Sequence, residues 1–190
     1  MPNITESIQK EMKSLPTNFV LMVLVDSINY SKVNLGILDY IINKMQVGGV
    51  YISVNRPADS MIKTLQEKNI NTKKMFFIDC ISKTVSGKME RKENILYATS
   101  PENLTDIGFA ISQIIKSTKS PDYFLFLDSV STLLIYNSVR SVAKFSHFLI
   151  NIIRMNNLKG VVMSVEKETD KFVRRTLYVL SDKVINFGGK

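Results

Sequence analysis

Phe19-Val20-Leu21-Met22-Val23-Leu24-Val25, followed by Asp26-Ser27-Ile28-Asn29-Tyr30-Ser31-Lys32-Val33, is the stretch on which the reading of this chain turns. An unbroken apolar run of this length is far too short to cross a bilayer and suits a strand buried on both faces. The polar turn then gives way to Leu35, Leu38, Ile41, Ile42 and Met45, which recur at helical spacing. Strand, loop and helix follow one another in the order used by phosphate-binding loops.

The pattern G-x-x-x-x-G-K-[ST] lies over residues 26 to 33 without a gap, and of its fixed positions only the lysine survives, as Lys32. Asp26 replaces the first glycine and would bring a carboxylate where phosphate oxygens approach; Ser31 replaces the second. Val33 has no hydroxyl to offer Mg²⁺. A lysine early in a helix is ordinarily a solvated residue, so this segment alone describes a strand, a turn and a helix.

A second segment changes the weight of the first. Tyr123-Phe124-Leu125-Phe126-Leu127-Asp128 is an apolar strand ending in a carboxylate, and Ser129-Val130-Ser131-Thr132 follows it. This resembles the Walker B segment of RecA/KaiC-type ATPases, in which the strand-end aspartate helps to hold the Mg²⁺ shell. The closing stretch Leu180-Ser181-Asp182-Lys183-Val184-Ile185-Asn186-Phe187 is similar to the last strand of KaiC-like domains.

The resemblance spans residues 17 to 188 and implies a three-layer α/β fold of the RecA type with a mostly parallel sheet. It implies a degenerate nucleotide site at Asp26, Ser31, Lys32, Val33, Asp128 and Ser129. In KaiC-like ATPases the strand corresponding to Val50–Val54 commonly ends in two glutamates that polarise the attacking water. Asn55 and Arg56 stand there in this chain, and neither can act as a general base near neutral pH. No residue is assigned a catalytic role. The function implied first is that of a pseudo-ATPase acting as a regulatory or scaffold subunit. A residual ATP- or phosphate-binding regulator is the alternative, with ATP the one cofactor in view.

Composition narrows the remaining classes. With 45% hydrophobic and 22% charged residues in a chain of 190, one globular domain with a sizeable core is expected over residues 1–190. No signal-like start and no spanning run are present, so a cytoplasmic protein without membrane insertion is expected. One cysteine and one histidine supply neither a disulfide nor a zinc set, and no metal ligands are assigned. The net charge of +8 keeps open a third reading, a basic adaptor for nucleic acid or an anionic surface, although lysines and acids are interleaved along much of the chain.

Taken in order, Asn3 and Glu6 have capping-box spacing for a helix over about residues 3–14, which Pro16 stops. Gly48-Gly49 is expected to end the helix after Lys32 and release strand Val50–Val54. A helix from Pro57 to about Asn69, a strand Met75–Asp79 and a strand Ile95–Tyr97 follow. Asp79 closes its strand where a turn or a site is expected. Residues 82–93, half charged and aperiodic, read as a long loop for partner contact. Ser100 is expected to cap a helix carrying Leu104, Ile107, Ile111 and Ile114. A helix over about Ser138–Asn156 turns His147 away from its apolar face. Strands at 160–165 and 183–187, with a helix capped by Thr169 between them, complete the alternation.

Two further expectations concern the site and its partners. Lys32 at a helix N-terminus calls for an anion, and Asp26 or Asp128 would supply it, plugging the site from within. The N-terminal helix, the charged loop and the KaiC-like resemblance point to a homo-oligomer or to a partner that is an active ATPase or a signalling protein.

Overall fold

The computed structural model describes residues 3–87, 90, 92–118 and 122–188. Seven strands form one sheet: β1 (Phe19–Val25), β2 (Gly48–Ser53), β3 (Met75–Asp79), β4 (Ile95–Tyr97), β5 (Tyr123–Asp128), β6 (Lys159–Val165) and β7 (Lys183–Phe187). Their order across the sheet is β4-β3-β2-β5-β6-β1-β7, and every pairing between them is parallel. The expected α/β architecture with helices on both faces is therefore present.

Alternation within the buried strands separates the two layers. Phe19, Leu21, Val23 and Val25 of β1 face the layer made by α1 (Ile4–Lys13), α2 (Tyr30–Asp39) and α3 (Ala58–Glu67). Val20, Met22 and Leu24 face α5 (Leu104–Ser117), α6 (Val130–Tyr136), α7 (Val139–Met155) and α8 (Lys171–Leu180) on the other side. A one-turn helix α4 (Ser82–Ser86) follows β3. No helix among the described residues is long and apolar enough to cross a membrane.

Connectivity places the crevice. From β2 the chain moves outward to β3 and β4, whereas from β5 it moves the opposite way to β6. The adjacent strands β2 and β5 thus flank the point where the chain reverses direction, the position at which open α/β sheets place ligand sites. Ser53 and Asp128 are register partners at the carboxyl ends of these two strands.

Several boundaries differ from the sequence expectation, each for a local reason. The glycine pair does not precede β2 but begins it, because Gly49 lies opposite Phe124 of β5 and a Cβ there would stand 2.3 Å from the Phe124 ring. Helix α2 ends instead in a π-helical segment, Tyr40–Lys44, and Gln46 with φ 58° turns the chain. Pro57 is the N-cap of α3 and not its first residue. Asn103, not Ser100, caps α5 by accepting from the Asp106 N–H at 3.0 Å.

Asp170, not Thr169, caps α8. The Thr169 hydroxyl is buried against Ser164 at 2.6 Å. The Ser/Thr-rich stretch after Asp128 begins helix α6, capped by Ser129. Residues 82–93 are not one loop: α4 occupies their start, and Lys92 pairs with Asp59 at 2.6 Å while bridging to Ile95. Residues 88, 89 and 91 of that stretch lie outside the described residues. His147 is exposed, with Nδ1 3.1 Å from the Asn151 amide.

Gly49 gives the fold its sharpest packing test. Gly49→Ala should lower the unfolding free energy by about 1–3 kcal/mol through overpacking against Phe124, and Phe124→Leu in the same chain should recover part of that loss. Urea unfolding of the two single variants and the double variant measures the coupling; strict additivity would rule the contact out as the cause.

Candidate functional site

Asp128 is the centre of the crevice. It is the last residue of β5, fully buried, on the face of the sheet covered by α2. The Tyr30 hydroxyl and the Asn55 amide (2.9 Å) donate to Oδ1, and the Tyr51 hydroxyl donates to Oδ2. Three donors from α2, β2 and the segment after β2 thus converge on one carboxylate. Hydrogen bonds to a charged acceptor are each worth about 1.5–3 kcal/mol and offset part of its lost hydration.

Each donor is held in place by local structure. Tyr30 is the first residue of α2, directly after the short turn 26–29. That turn is closed by Asp26, which accepts from the Asn29 backbone N–H at 2.7 Å and from the Asn29 amide at 3.0 Å. Tyr51 points from the middle of β2 and stacks on Phe126, with ring centroids 5.3 Å apart, while Phe77 lies tilted at 6.1 Å. Its hydroxyl also accepts from the Asn34 amide at 3.3 Å, while Asn34 Oδ1 has no partner among the described residues. Asn55 in turn accepts from the Thr132 hydroxyl at the start of α6, joining both layers.

Electrostatics follow from burial. Desolvation raises the Asp128 pKa above its ordinary value of 3.8, although the tyrosine hydroxyls, the Arg56 charge and the Asn55 amide each pull it down. Burial, and then the Asp128 charge, push Tyr30 and Tyr51 well above the usual phenol range, so both remain protonated donors.

The residues singled out from the sequence fall into distinct places. Asp128, Ser129, Asn55 and Arg56 meet at the crevice. Ser129 is buried, joined to Asp128 by a cis peptide bond, and its Oγ lies 2.9 Å from Ser131 Oγ and accepts from the Thr132 N–H at 3.4 Å. Ser31 and Lys32 are exposed on the first turn of α2, and among the described residues Lys32 makes no ion pair. The expected lysine–carboxylate plug is therefore not formed: tyrosine hydroxyls reach Asp128 where the lysine ammonium does not. Val33 is fully buried in the core beneath α2.

Asp79 is a turn residue. Its carboxylate accepts from the backbone N–H groups of Ala58 (2.7 Å), Ile81 (2.9 Å) and Ser82 (2.8 Å), which ties β3 to the starts of α3 and α4. Tyr30, Tyr51, Asn34 and Thr132 were not singled out from the sequence. One signal for Tyr51 was legible, a phenol within a buried strand whose hydroxyl must find a partner.

Comparison with known proteins places the fold. A family model described as "Family of unknown function (DUF7504)" matches residues 49–187. No curated protein matches the chain. Among solved structures, a KaiC-like protein from the archaeon Pyrococcus horikoshii is similar at TM-score 0.64 and 10% identity, over 88% of this chain and 71% of that one. An uncharacterized protein from the same organism, crystallised with an unknown peptide, is similar at TM-score 0.71 and 12% identity, over 95% and 82% of the two chains. This chain has the KaiC-like, RecA-type fold.

A raised carboxylate pKa has a defined consequence for stability. Because folded Asp128 holds its proton more tightly than the unfolded chain does, its contribution is full below pH about 3.8 and is lost as pH rises through the higher folded value. Relative to the wild type, Asp128→Asn should gain stability as pH rises through that window and then level off. Urea unfolding of both proteins from acid to neutral pH checks this, and a pH-independent difference would contradict it.

Proposed function

The chain belongs to the family of unknown function DUF7504, and we propose that it is a pseudo-ATPase, a KaiC/RecA-type subunit that regulates or scaffolds a partner without turning over nucleotide. The observation that carries this reading is the closure of Asp128 by Tyr30, Tyr51 and Asn55. Mg²⁺ asks for near-octahedral oxygen ligands with its own waters retained, and the carboxylate that would meet it already accepts three donors from the protein. The residues at this crevice do not fit Mg²⁺-bound nucleotide.

The former loop positions support the same reading. Val33 has no hydroxyl and is core, Lys32 faces solvent, and the turn 26–29 closes on its own aspartate in place of a glycine cradle. Asn55 donates to Asp128 and accepts from Thr132, so it serves as a structural link where a base would activate water. A subunit of this kind would act through its surfaces, against a second copy or against an ATPase with a working site.

One observation favours the second reading, a residual nucleotide-responsive regulator. A buried carboxylate with a raised pKa at a sheet crevice is a common property of functional sites. Titration with a fluorescent ATP analogue, with and without Mg²⁺, separates the two. The pseudo-ATPase reading expects no binding up to about millimolar analogue, for the wild type and for Lys32→Ala alike. Mg²⁺-dependent binding in the micromolar range that weakens in Lys32→Ala would replace it with the regulator reading.

A further inference from the structure

The hydrogen bonds that satisfy Asp128 do not end at the crevice. Its Oδ1 accepts from the Tyr30 hydroxyl on one side and from the Asn55 amide, at 2.9 Å, on the other. The Asn55 side-chain oxygen accepts in turn from the Thr132 hydroxyl, and Thr132 Oγ1 lies 3.1 Å from Ser129 Oγ. Ser129 Oγ lies 2.9 Å from Ser131 Oγ, which accepts from the Val165 backbone N–H at 3.2 Å. An unbroken series of polar contacts thus runs from the first residue of α2, over the carboxyl edge of the sheet, to α6 and the end of β6.

Asn55 joins the two halves of this series. Its amide nitrogen serves Asp128 and its oxygen serves Thr132, so one planar group makes both bonds and a turn that relaxes one disturbs the other. The backbone before it is fixed, because the Val54 N–H donates to the Asp128 carbonyl at 3.0 Å. The Asn55 side chain is exposed, and packing leaves its amide room to turn.

Both ends of the series can be reached from solvent. Ile28, 91% exposed, sits on turn 26–29, whose closure by Asp26 and Asn29 leads directly into Tyr30. Ile135, 75% exposed, and Tyr136 lie about one turn beyond Thr132 on α6. With seven residues α6 is too short to hold a helix by itself. Its position depends on the burial of Val130 and Leu133 and on the hydroxyls of its first turn.

We propose that this series couples the two helical layers. Drawing the Tyr30 hydroxyl off Asp128 turns the Asn55 amide and loosens the first turn of α6, and loosening α6 weakens the hold on Tyr30 in return. The coupling needs no nucleotide at the crevice and goes beyond the pseudo-ATPase reading. It gives a subunit without turnover a way to register a contact at the turn before α2 and report it at the exposed end of α6.

The test is amide hydrogen exchange of the intact protein, followed by NMR at two positions. Leu133 in α6 donates to the Ser129 carbonyl at 3.2 Å, and Val33 in α2 donates to the Asn29 carbonyl at 2.9 Å. Tyr30→Phe and Thr132→Val each remove a hydroxyl and keep the shape. Tyr30→Phe should speed exchange at Leu133 about tenfold or more, and Thr132→Val should do the same at Val33. In the double variant each substitution should add about twofold or less to what the other has already done at the distant position.

Asn55→Ala cuts the series in its middle, and in that background too Tyr30→Phe should leave Leu133 nearly unchanged. Exchange at Leu133 indifferent to Tyr30→Phe would overturn the proposal. So would an acceleration that persists undiminished with Thr132→Val or Asn55→Ala, which would assign the effect to lost stability of the whole fold.

Discussion

A carboxylate taken out of water at the end of a central strand has to be supplied with donors, and in this protein that requirement at Asp128 organises the crevice. Its oxygens collect one hydroxyl from the start of α2, one from the middle of β2 and an amide from the segment leaving β2. Because these groups lie on different elements, satisfying one side chain fixes the approach of α2 to the sheet and the path of the chain after β2. Desolvation still outweighs these donors in setting the direction of the pKa shift.

The residues aligned with a phosphate-binding loop make structural contacts in this chain. Asp26 closes the turn that a glycine would have left open, Val33 fills the core under α2, and Asn55 bridges Asp128 to Thr132 of the opposite layer. A loop open to phosphate leaves backbone N–H groups without partners until ligand arrives, whereas here the Asn29 N–H is paired with Asp26. The Tyr30 hydroxyl reaches across to Asp128 from the first turn of α2.

The sheet also separates two kinds of surface. The layer of α1, α2 and α3 closes over the crevice and leaves its outer face polar with mixed charge. The layer of α5 to α8 is basic and leaves apolar side chains in solvent, beyond what burial of its inner face requires. In a parallel sheet both faces of every central strand must be covered, so the outer faces of the helices are the main surfaces left for association.

Much of the architecture was legible in local pattern. The seven-residue apolar run of β1, the strand 183–187 and the helical spacing of α5 and α7 announce themselves because burial on one or both faces leaves a periodic mark on the chain. Asp128 was legible too, as a carboxylate ending an apolar strand. Caps were less so, since Asn103 and Asp170 compete with nearby Ser100 and Thr169 for the same role and backbone geometry chooses between them.

Only the tertiary structure decided what touches Asp128. Tyr30 and Tyr51 lie 98 and 77 residues from it in sequence, and strand order and register alone bring them together. The same holds for the glycine of β2 against Phe124 and for Gly108 against Phe148, where one chain segment sets the room left for another. Sequence period reports which face of an element is buried. It carries no record of the neighbour across that face, because contact between distant segments follows from packing of the whole sheet.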